Sequence, residues 1–183
     1  MGTCISNMAT ATKTFSGYTS HYLQLDVTDT GEYSIENNTS KITYKVTLNK
    51  VSTSSGAWSS TSYPARFYLD GSIAASTSVS YDMRNTYSLT LLSGTLDVKH
   101  DSDGKKTISV YASYTTSGNL GSATTDAMNI TLVDIPLYEK AYIKVNEEYK
   151  SGYTFVKVNG VWQQAKKIYV KVNNEWKESG VYV

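Results

Sequence analysis

The residues best suited to binding chemistry lie at the C-terminal end of the chain, where aromatic rings and lysines recur at a fixed spacing. A phrase of aromatic residue, β-branched residue, Lys, Val and Asn begins at Tyr142, Phe155 and Tyr169, so it restarts after 13 and then 14 residues. A further ring follows each phrase three residues later. Flat rings can stack on sugars, and Lys ammonium groups can meet phosphates as point charges. The candidates for interaction or glycan stacking are therefore Tyr142, Lys144, Tyr149, Phe155, Lys157, Trp162, Tyr169, Lys171 and Trp176.

The same rings have a structural interpretation, in which they form a small core and bind nothing. Large rings carry much buried area, so packing alone can account for them. The sequence leaves both interpretations open, and it does not decide which face of this repeat is buried.

Residues that carry catalysis are sparse. The chain has two histidines, His21 and His100, and a single cysteine, Cys4, which cannot make a Cys/His metal cluster. It contains neither a G-x-S-x-G elbow nor a Walker-type phosphate loop. Asp101 and Asp103 are adjacent turn positions, a poor arrangement for straddling a glycosidic bond. We therefore expect no enzyme activity, no cofactor and no metal site.

The segment from His100 to Lys105 invites a calcium interpretation because it holds two carboxylates and a glycine. It lacks the remaining ligands and the distant Glu of a calcium loop. Asp103-Gly104 is instead expected to be a turn between a strand at 96–98 and a strand at 107–110.

Composition restricts the class of protein. A net charge of +1 argues against a nucleic-acid partner, which needs a clustered basic surface. Residues 1–136 contain 9 basic and 11 acidic side chains, and residues 137–183 contain 8 basic and 5 acidic ones. The lysines of the tail are spaced by the repeat period and do not cluster into a basic patch. No apolar run is long enough for a membrane span, and one cysteine fits assembly in a reducing cytoplasm.

The elements that position the candidate rings are predicted to be β-hairpins. Asn159-Gly160 favours a two-residue type I′ turn, which places Val158 opposite Val161 and Lys157 opposite Trp162. Strand alternation then puts rings and lysine on one face and valines on the other. Asn173-Asn174 can make the same turn, and Asn146-Glu147 does so less comfortably. Because an isolated hairpin is marginal in water, the copies must pack on something.

The preceding region reads as short strands joined by polar turns. Tyr22–Thr28 alternates well and is expected to end at the turn Asp29-Thr30-Gly31, and 41–50 places Ile42, Tyr44, Val46 and Leu48 inward. A hairpin is predicted around Asp70-Gly71. Eight or nine such strands without a helical period are typical of an all-β antiparallel sandwich.

Trp58 is the one large ring in a polar loop predicted over 52–62. It is interpreted either as a lid folded onto the core or as an exposed contact on a loop tip, which makes it a further interaction candidate.

These patterns divide the chain into a leader at 1–8, a β-sandwich at 9–136 and a hairpin module at 137–183, with copies near 142–150, 155–163 and 169–177. Met8 is an alternative to Met1 as the start. Pro136 ends the last strand of the sandwich, because proline cannot donate to a sheet ladder.

Two stretches resemble known sequences. His100-Asp101-Ser102-Asp103-Gly104-Lys105-Lys106-Thr107, within 96–110 and followed by the 118–122 loop, resembles the H-x-x-D-G-x-K-T segment of β-sandwich modules in minor structural and tail-associated proteins of phages that infect Gram-positive bacteria. The repeated Tyr-Val-Lys-Val-Asn-Gly-x-Trp phrase is similar to C-terminal repeats in the same phage group. This chain departs from that repeat at Glu147 and Asn174, where the repeat usually has Gly.

The resemblance implies an immunoglobulin-like sandwich with a repeat module, in a virion component made in the host cytoplasm. It favours a tail-associated, fibre or decoration protein that contacts other virion proteins and forms a homo-oligomer. The alternative is a carbohydrate-binding module that attaches the particle to cell-wall polysaccharide. A wall-cleaving enzyme is the third hypothesis, and neither nucleic acid nor membrane is expected as a partner.

Overall fold

A computed structural model describes residues 8–51, 56–136, 140–145, 148–165 and 169–178. The chain divides into two compact units, Met1–Ile135 and Pro136–Val183. Of the predicted leader, residues 1–7 lie outside the described residues, and Met8 begins the first strand. No helix long and apolar enough to cross a membrane occurs in the part of the chain that is described.

The described residues of the first unit form nine strands in two antiparallel sheets. In chain order, β1 to β9 are Met8–Thr14, His21–Ser34, Thr39–Lys50, Trp58–Leu69, Ser72–Asp82, Ser88–Lys99, Thr107–Thr115, Ser122–Thr124 and Met128–Thr131. One sheet has the order β1-β2-β3-β6, and the other has the order β5-β4-β7, with β8 and β9 both pairing with the far side of β7. The predicted all-β antiparallel fold is confirmed.

Two strand pairs interlock the sheets. β3 pairs with β6 in one sheet, and β4 pairs with β7 in the other, so the chain changes sheet after β3, after β5 and after β6. Apolar residues at alternate positions along the strands fill the space between the sheets. Ile42, Val46 and Leu48 of β3 are fully buried, as the alternation predicted.

Aromatic contacts join the sheets across this core. The rings of Tyr44 on β3 and Phe67 on β4 are stacked, with centroids 4.4 Å apart and planes 3° apart. Phe15, which follows β1, meets Tyr114 of β7 edge to face at 6.3 Å. Such pairs stabilise beyond the area that they bury, by about 1 kcal/mol each.

The predicted end of β2 at Asp29-Thr30-Gly31 is wrong. The strand continues to Ser34, and these residues form a bulge at which the register with β3 shifts between Asp29 and Tyr33. Asp29 is fully buried, and its two carboxylate oxygens accept hydrogen bonds from the amides of Gly31 (3.0 Å) and Val133 (2.8 Å). The carboxylate therefore binds backbone amides inside the sandwich. The chain instead reverses direction after Ser34, in the turn that includes Asn38 with φ 52°.

Two further predictions need correction. The polar loop expected over 52–62 is already strand from Trp58, because β4 pairs with β5 as far as Asp82. The strands on either side of Asp103-Gly104 are not paired, because β6 and β7 belong to different sheets. The turn itself is present: the Gly104 amide donates to the Asp101 carbonyl at 2.9 Å, and Gly104 has φ 77°. The Asp70-Gly71 hairpin is confirmed, with φ 49° and 79°.

Three two-stranded antiparallel sheets occur in the described part of the second unit. Their strands are β10 Lys140–Val145 with β11 Glu148–Tyr153, β12 Phe155–Val158 with β13 Val161–Gln164, and β14 Tyr169–Val172 with β15 Glu175–Glu178. The φ angles of 50° and 84° at Asn159-Gly160, and of 51° and 67° at Asn173-Asn174, are those of the predicted type I′ turns. The turn predicted at Asn146-Glu147 lies outside the described residues.

Candidate functional site

The second hairpin presents the first of the candidate surfaces. Across it, Lys157 pairs with Trp162 and Val158 pairs with Val161, as the turn geometry predicted. The Lys157 ammonium nitrogen lies 5.8 Å from the centre of the Trp162 ring, within the range of a cation–π interaction. Phe155 lies two residues before Lys157 on the same side of the strand. We call Phe155, Lys157 and Trp162 the lysine–aromatic face of this hairpin.

The third hairpin repeats this geometry. Lys171 pairs with Trp176, and its ammonium nitrogen lies 5.9 Å from the Trp176 ring centre. Tyr169 completes its lysine–aromatic face. The rings remain open to solvent in both hairpins, with exposed fractions of 52% for Phe155, 66% for Trp162, 50% for Tyr169 and 70% for Trp176. The two lysine–aromatic faces are therefore matching surfaces.

The first hairpin has the same backbone register. Lys144 pairs with Tyr149, and Tyr142 pairs with Ser151. The side chains of Tyr142, Lys144 and Tyr149 lie outside the described residues, so their role stays a prediction.

The opposite side of the second hairpin carries three valines, with Gln163 opposite Val156. Val156, Val158 and Val161 form this valine face and are 47%, 43% and 62% exposed. Both faces of the hairpin therefore meet solvent in the single chain. At the corresponding position of the third hairpin, Glu175 pairs with Val172 and is exposed.

Trp58 is the remaining sequence candidate, and its interpretation as a lid on the core is wrong. Its ring is 58% exposed, whereas the preceding Ala57 is buried. The Arg84 guanidinium lies 4.8 Å from the Trp58 ring centre, and Arg84 is held by two hydrogen bonds to Asp82, of 2.9 and 2.7 Å. The bonds from Arg84 lower the pKa of Asp82 to about 2, so the carboxylate stays ionised. Trp58 therefore belongs to an exposed and ordered Trp–Arg–Asp group.

A small open cleft adjoins this group. Its volume is about 200 Å³, and it is lined by Tyr18, Gly56, Ala57, Trp58, Tyr81 and Asn119. Burial raises the pKa of the Tyr81 hydroxyl, so this group stays protonated at neutral pH. The cleft is smaller than typical sites for drug-sized ligands, which begin near 300 Å³.

Sequence reasoning identified Trp58 but missed Arg84 and Asp82. Counting back from the Asp70-Gly71 turn would place Trp58 opposite Met83. Register shifts between Ser59 and Tyr63 and between Phe67 and Tyr68 place it opposite Asp82 instead. No local signal in the sequence marks these shifts.

The residues considered for catalysis occupy structural positions. His21 is fully buried, and its pKa is lowered by burial and by the charge of Lys50. The ring nitrogen Nδ1 of His100 lies 2.8 Å from the Gly104 carbonyl oxygen. Asp103 accepts a hydrogen bond from the Lys105 amide at 3.1 Å. Within the residues that the structure covers, no group of three or more His, Cys, Asp or Glu side chains is placed to hold a metal ion.

Comparison with known proteins identifies a protein family. The profile of a family described as siphovirus protein of unknown function (DUF859) matches residues 13–178, which span both units. No curated protein and no solved structure matches the chain. Since the match covers most of the 183 residues, the chain belongs to this family of siphovirus proteins.

Proposed function

We propose that this protein is a non-enzymatic structural component of the siphovirus particle, in a tail-associated, fibre or decoration position. It is made in the host cytoplasm and assembles with other virion proteins and with copies of itself. Membership of a siphovirus family supports a phage protein, and the exposed faces of the hairpins support an assembly role.

The exposed hairpin faces carry this proposal. A two-stranded hairpin is at best marginally stable in water, because it buries little apolar surface. The second hairpin leaves three valines, Phe155 and Trp162 between 43% and 66% exposed. Apolar surface of this kind is stabilised when a partner covers it, by about 25 cal/mol per Å² removed from water. We therefore expect the hairpins to be stabilised when assembly covers their exposed apolar residues.

The valine face is the better candidate for the covered side. Burying the lysine–aromatic face would remove the Lys157 ammonium from water, which is costly without a paired anion. The valine face imposes no such cost. In the second hairpin it contains Val156, Val158 and Val161, which in the single chain are about half exposed.

The interlocked strand pairs support an immunoglobulin-like architecture for the sandwich. In immunoglobulin-type domains, strand B pairs with E in one sheet and C pairs with F in the other. The pairs β3–β6 and β4–β7 correspond to these two. Domains with this architecture are common as interaction modules on surfaces.

Two measurements on the full chain and the intact particle test the assembly proposal. Labelled antibodies and cross-linking mass spectrometry on purified particles should locate the chain beside other virion proteins. In sedimentation, Val158→Lys with Val161→Lys should weaken self-association, while Lys157→Glu, a charge change on the opposite face of the same hairpin, serves as a control. A strict monomer that contacts no virion protein would overturn the proposal.

The matching lysine–aromatic faces favour a second candidate function, attachment to the bacterial cell wall. Lys157–Trp162 and Lys171–Trp176 have nearly equal separations, 5.8 and 5.9 Å, on successive hairpins. A polymer with regularly spaced sugars and phosphates could meet one ring and one ammonium group on each hairpin. Several weak contacts on one polymer reinforce each other through effective concentration.

Binding to purified Gram-positive cell walls tests this second function. Walls with intact teichoic acid and walls from which it has been extracted should be compared by co-sedimentation. Trp162→Ala with Trp176→Ala should abolish retention while circular dichroism shows the folded chain. If both binding and folding survive these substitutions, the lysine–aromatic faces are not the binding surface.

A further inference from the structure

The edge of the second sheet formed by β5 has the properties of a strand that pairs with another strand. β5, Ser72–Asp82, is the last strand of its sheet, and among the described residues it pairs only with β4. Its sequence from Ser72 to Tyr81 contains no charged residue and no proline. Most of its side chains are exposed or half-buried. A long, uncharged and exposed edge is a template for strand pairing.

The other edges of the sandwich are blunted in the usual ways. β8 and β9 are only 3 and 4 residues long. β1 carries Lys13, which bridges to Asp126 at 3.1 Å. β6 has a register shift against β3, and Asp97 and Lys99 lie near its end. Charges, bulges and short length oppose edge pairing. β5 has register shifts against β4 on either side of Ala75–Val79, but this central segment pairs regularly and carries no charge. The central segment of β5 is thus the least protected edge among the described strands.

The sequence of β5 also suits pairing with itself. Full antiparallel overlap of two copies of Ser72–Asp82 centres on Thr77, so that Thr77 faces Thr77 of the second copy. Ala75 then faces Val79 of the second copy, and both residues are half-buried in the single chain. Such an arrangement is isologous and closes as a two-fold dimer.

The inner row of the sheet supports the same partner. Ala75, Thr77 and Val79 pair with Phe67, Ala65 and Tyr63 of β4, of which Phe67 and Ala65 are fully buried. The buried apolar residues of β4 are therefore next to β5, and no further strand of this sheet lies beyond β5 among the described residues. A second copy added at β5 continues this apolar row across the two-fold axis.

We propose that a second copy of this chain binds along β5 by antiparallel pairing centred on Thr77, which joins two sandwiches through one continuous sheet. The partner is a second copy because antiparallel overlap of this uncharged segment places Thr77 opposite itself and Ala75 opposite Val79. This inference deepens the proposed assembly function, and it names a surface separate from the valine face.

A charge test at the axis is decisive because Thr77 is exposed and meets its own copy. Like charges directly opposite each other destabilise strand pairing, and opposite charges stabilise it. In sedimentation of the full chain carrying Val158→Lys and Val161→Lys, which removes contacts through the valine face, Thr77→Lys alone and Thr77→Glu alone should each be monomeric near 20.2 kDa. An equimolar mixture of the two variants should recover the dimer. The same pair of substitutions at Thr12, which is exposed on β1, is the control and should leave the dimer intact.

Cross-linking checks the register. Directly opposite residues in an antiparallel pair have Cα atoms about 5 Å apart, within the range of a disulfide. Thr77→Cys in a Cys4→Ser background should oxidise to a covalent dimer. Ile73→Cys in the same background should not, because Ile73 lies away from the axis and faces Tyr81 of the second copy.

A monomeric wild-type chain, or a dimer that survives both Thr77→Lys and Thr77→Glu in the background of Val158→Lys and Val161→Lys, would overturn pairing at β5. The proposed assembly function fails separately. If the Val158→Lys and Val161→Lys variant is monomeric while the variants at Thr77 still associate, assembly stands and the β5 inference falls. If disulfide dimers form through Thr77→Cys and the chain is absent from particles, the β5 pairing stands without the virion role.

Discussion

Lys157 lies directly opposite Trp162 across the second hairpin, with its ammonium nitrogen 5.8 Å from the centre of the indole ring. The type I′ turn at Asn159-Gly160 sets this pairing, since a two-residue turn fixes which residues face each other. The same relationship recurs between Lys171 and Trp176. The repeat of the sequence is therefore also a repeat of one interaction.

This pairing makes the proposed wall binding dependent on charge. Lys157→Gln with Lys171→Gln should weaken retention on teichoic-acid-containing walls by about tenfold, which is about 1.4 kcal/mol. Salt screens exposed charges, so wild-type retention should fall as salt rises, and the variant should lose much of that dependence. Lys45→Gln, an exposed lysine of the sandwich, is the control and should bind like the wild type. Equal salt dependence in variant and wild type would contradict the prediction.

Asp29 should be among the most sensitive polar positions of the sandwich. It is fully buried and accepts hydrogen bonds from two backbone amides, at 3.0 and 2.8 Å. Asp29→Ala leaves both amides without their acceptor and should lower the free energy of unfolding by about 3 kcal/mol. Urea denaturation measures this. Asp126→Ala, which removes an exposed ion pair with Lys13, should cost less than about 0.5 kcal/mol. Similar losses for the two variants would show that Asp29 is not structural.

Stability should fall in mild acid because of His21. Burial, with the charge of Lys50, lowers the pKa of His21 from 6.5, so the folded state holds the neutral ring. Below pH 6.5 the unfolded chain binds a proton that the folded chain does not, so stability is lost as the pH falls towards the folded-state pKa. The slope is at most about 1.4 kcal/mol per pH unit.

His21→Gln removes this titration. Urea denaturation between neutral pH and mild acid should therefore show a flatter pH dependence for this variant than for the wild type. Parallel curves for the two proteins would mean that His21 does not carry the effect.

Gly56 should not tolerate a side chain. A Cβ added there would lie 2.3 Å from the Met83 carbonyl oxygen and 2.4 Å from the Arg84 amide nitrogen, both of which are backbone atoms. Gly56→Ala should therefore lower the free energy of unfolding by about 2 kcal/mol, as overpacking does. Gly118→Ala is the matched control, because its Cβ would meet only the ends of the Tyr81 and Tyr63 side chains, at 3.3 and 3.8 Å. A thermal melt of each variant distinguishes the two cases.

The hairpins were predictable because their determinants are local. Asn159-Gly160 fixes the turn, and alternation does the rest within a few residues. The inward side of β3 was predictable for the same reason, since Ile42, Tyr44, Val46 and Leu48 alternate along one strand.

The errors arose where distant residues decide local structure. Asp29-Thr30-Gly31 has the composition of a turn, but the Asp29 carboxylate bonds to the amide of Val133, 104 residues away. Asp103-Gly104 forms a turn as expected, yet no local signal shows that the chain is changing sheets there. Register shifts between β4 and β5 place Trp58 beside Arg84 and Asp82, and strand alternation in the sequence does not reveal these shifts.

The interlocked pairs β3–β6 and β4–β7 also determine how the sandwich folds. Residues that pair within them are far apart in sequence: Thr39 pairs with Lys99, and Ala65 pairs with Tyr114. Closing such long loops costs chain entropy before any contact compensates for it, so domains rich in distant pairings fold in milliseconds to seconds. The C-terminal hairpins close within microseconds. On the ribosome, β4 cannot complete its sheet until β7 has emerged, so the sandwich is a late product of synthesis.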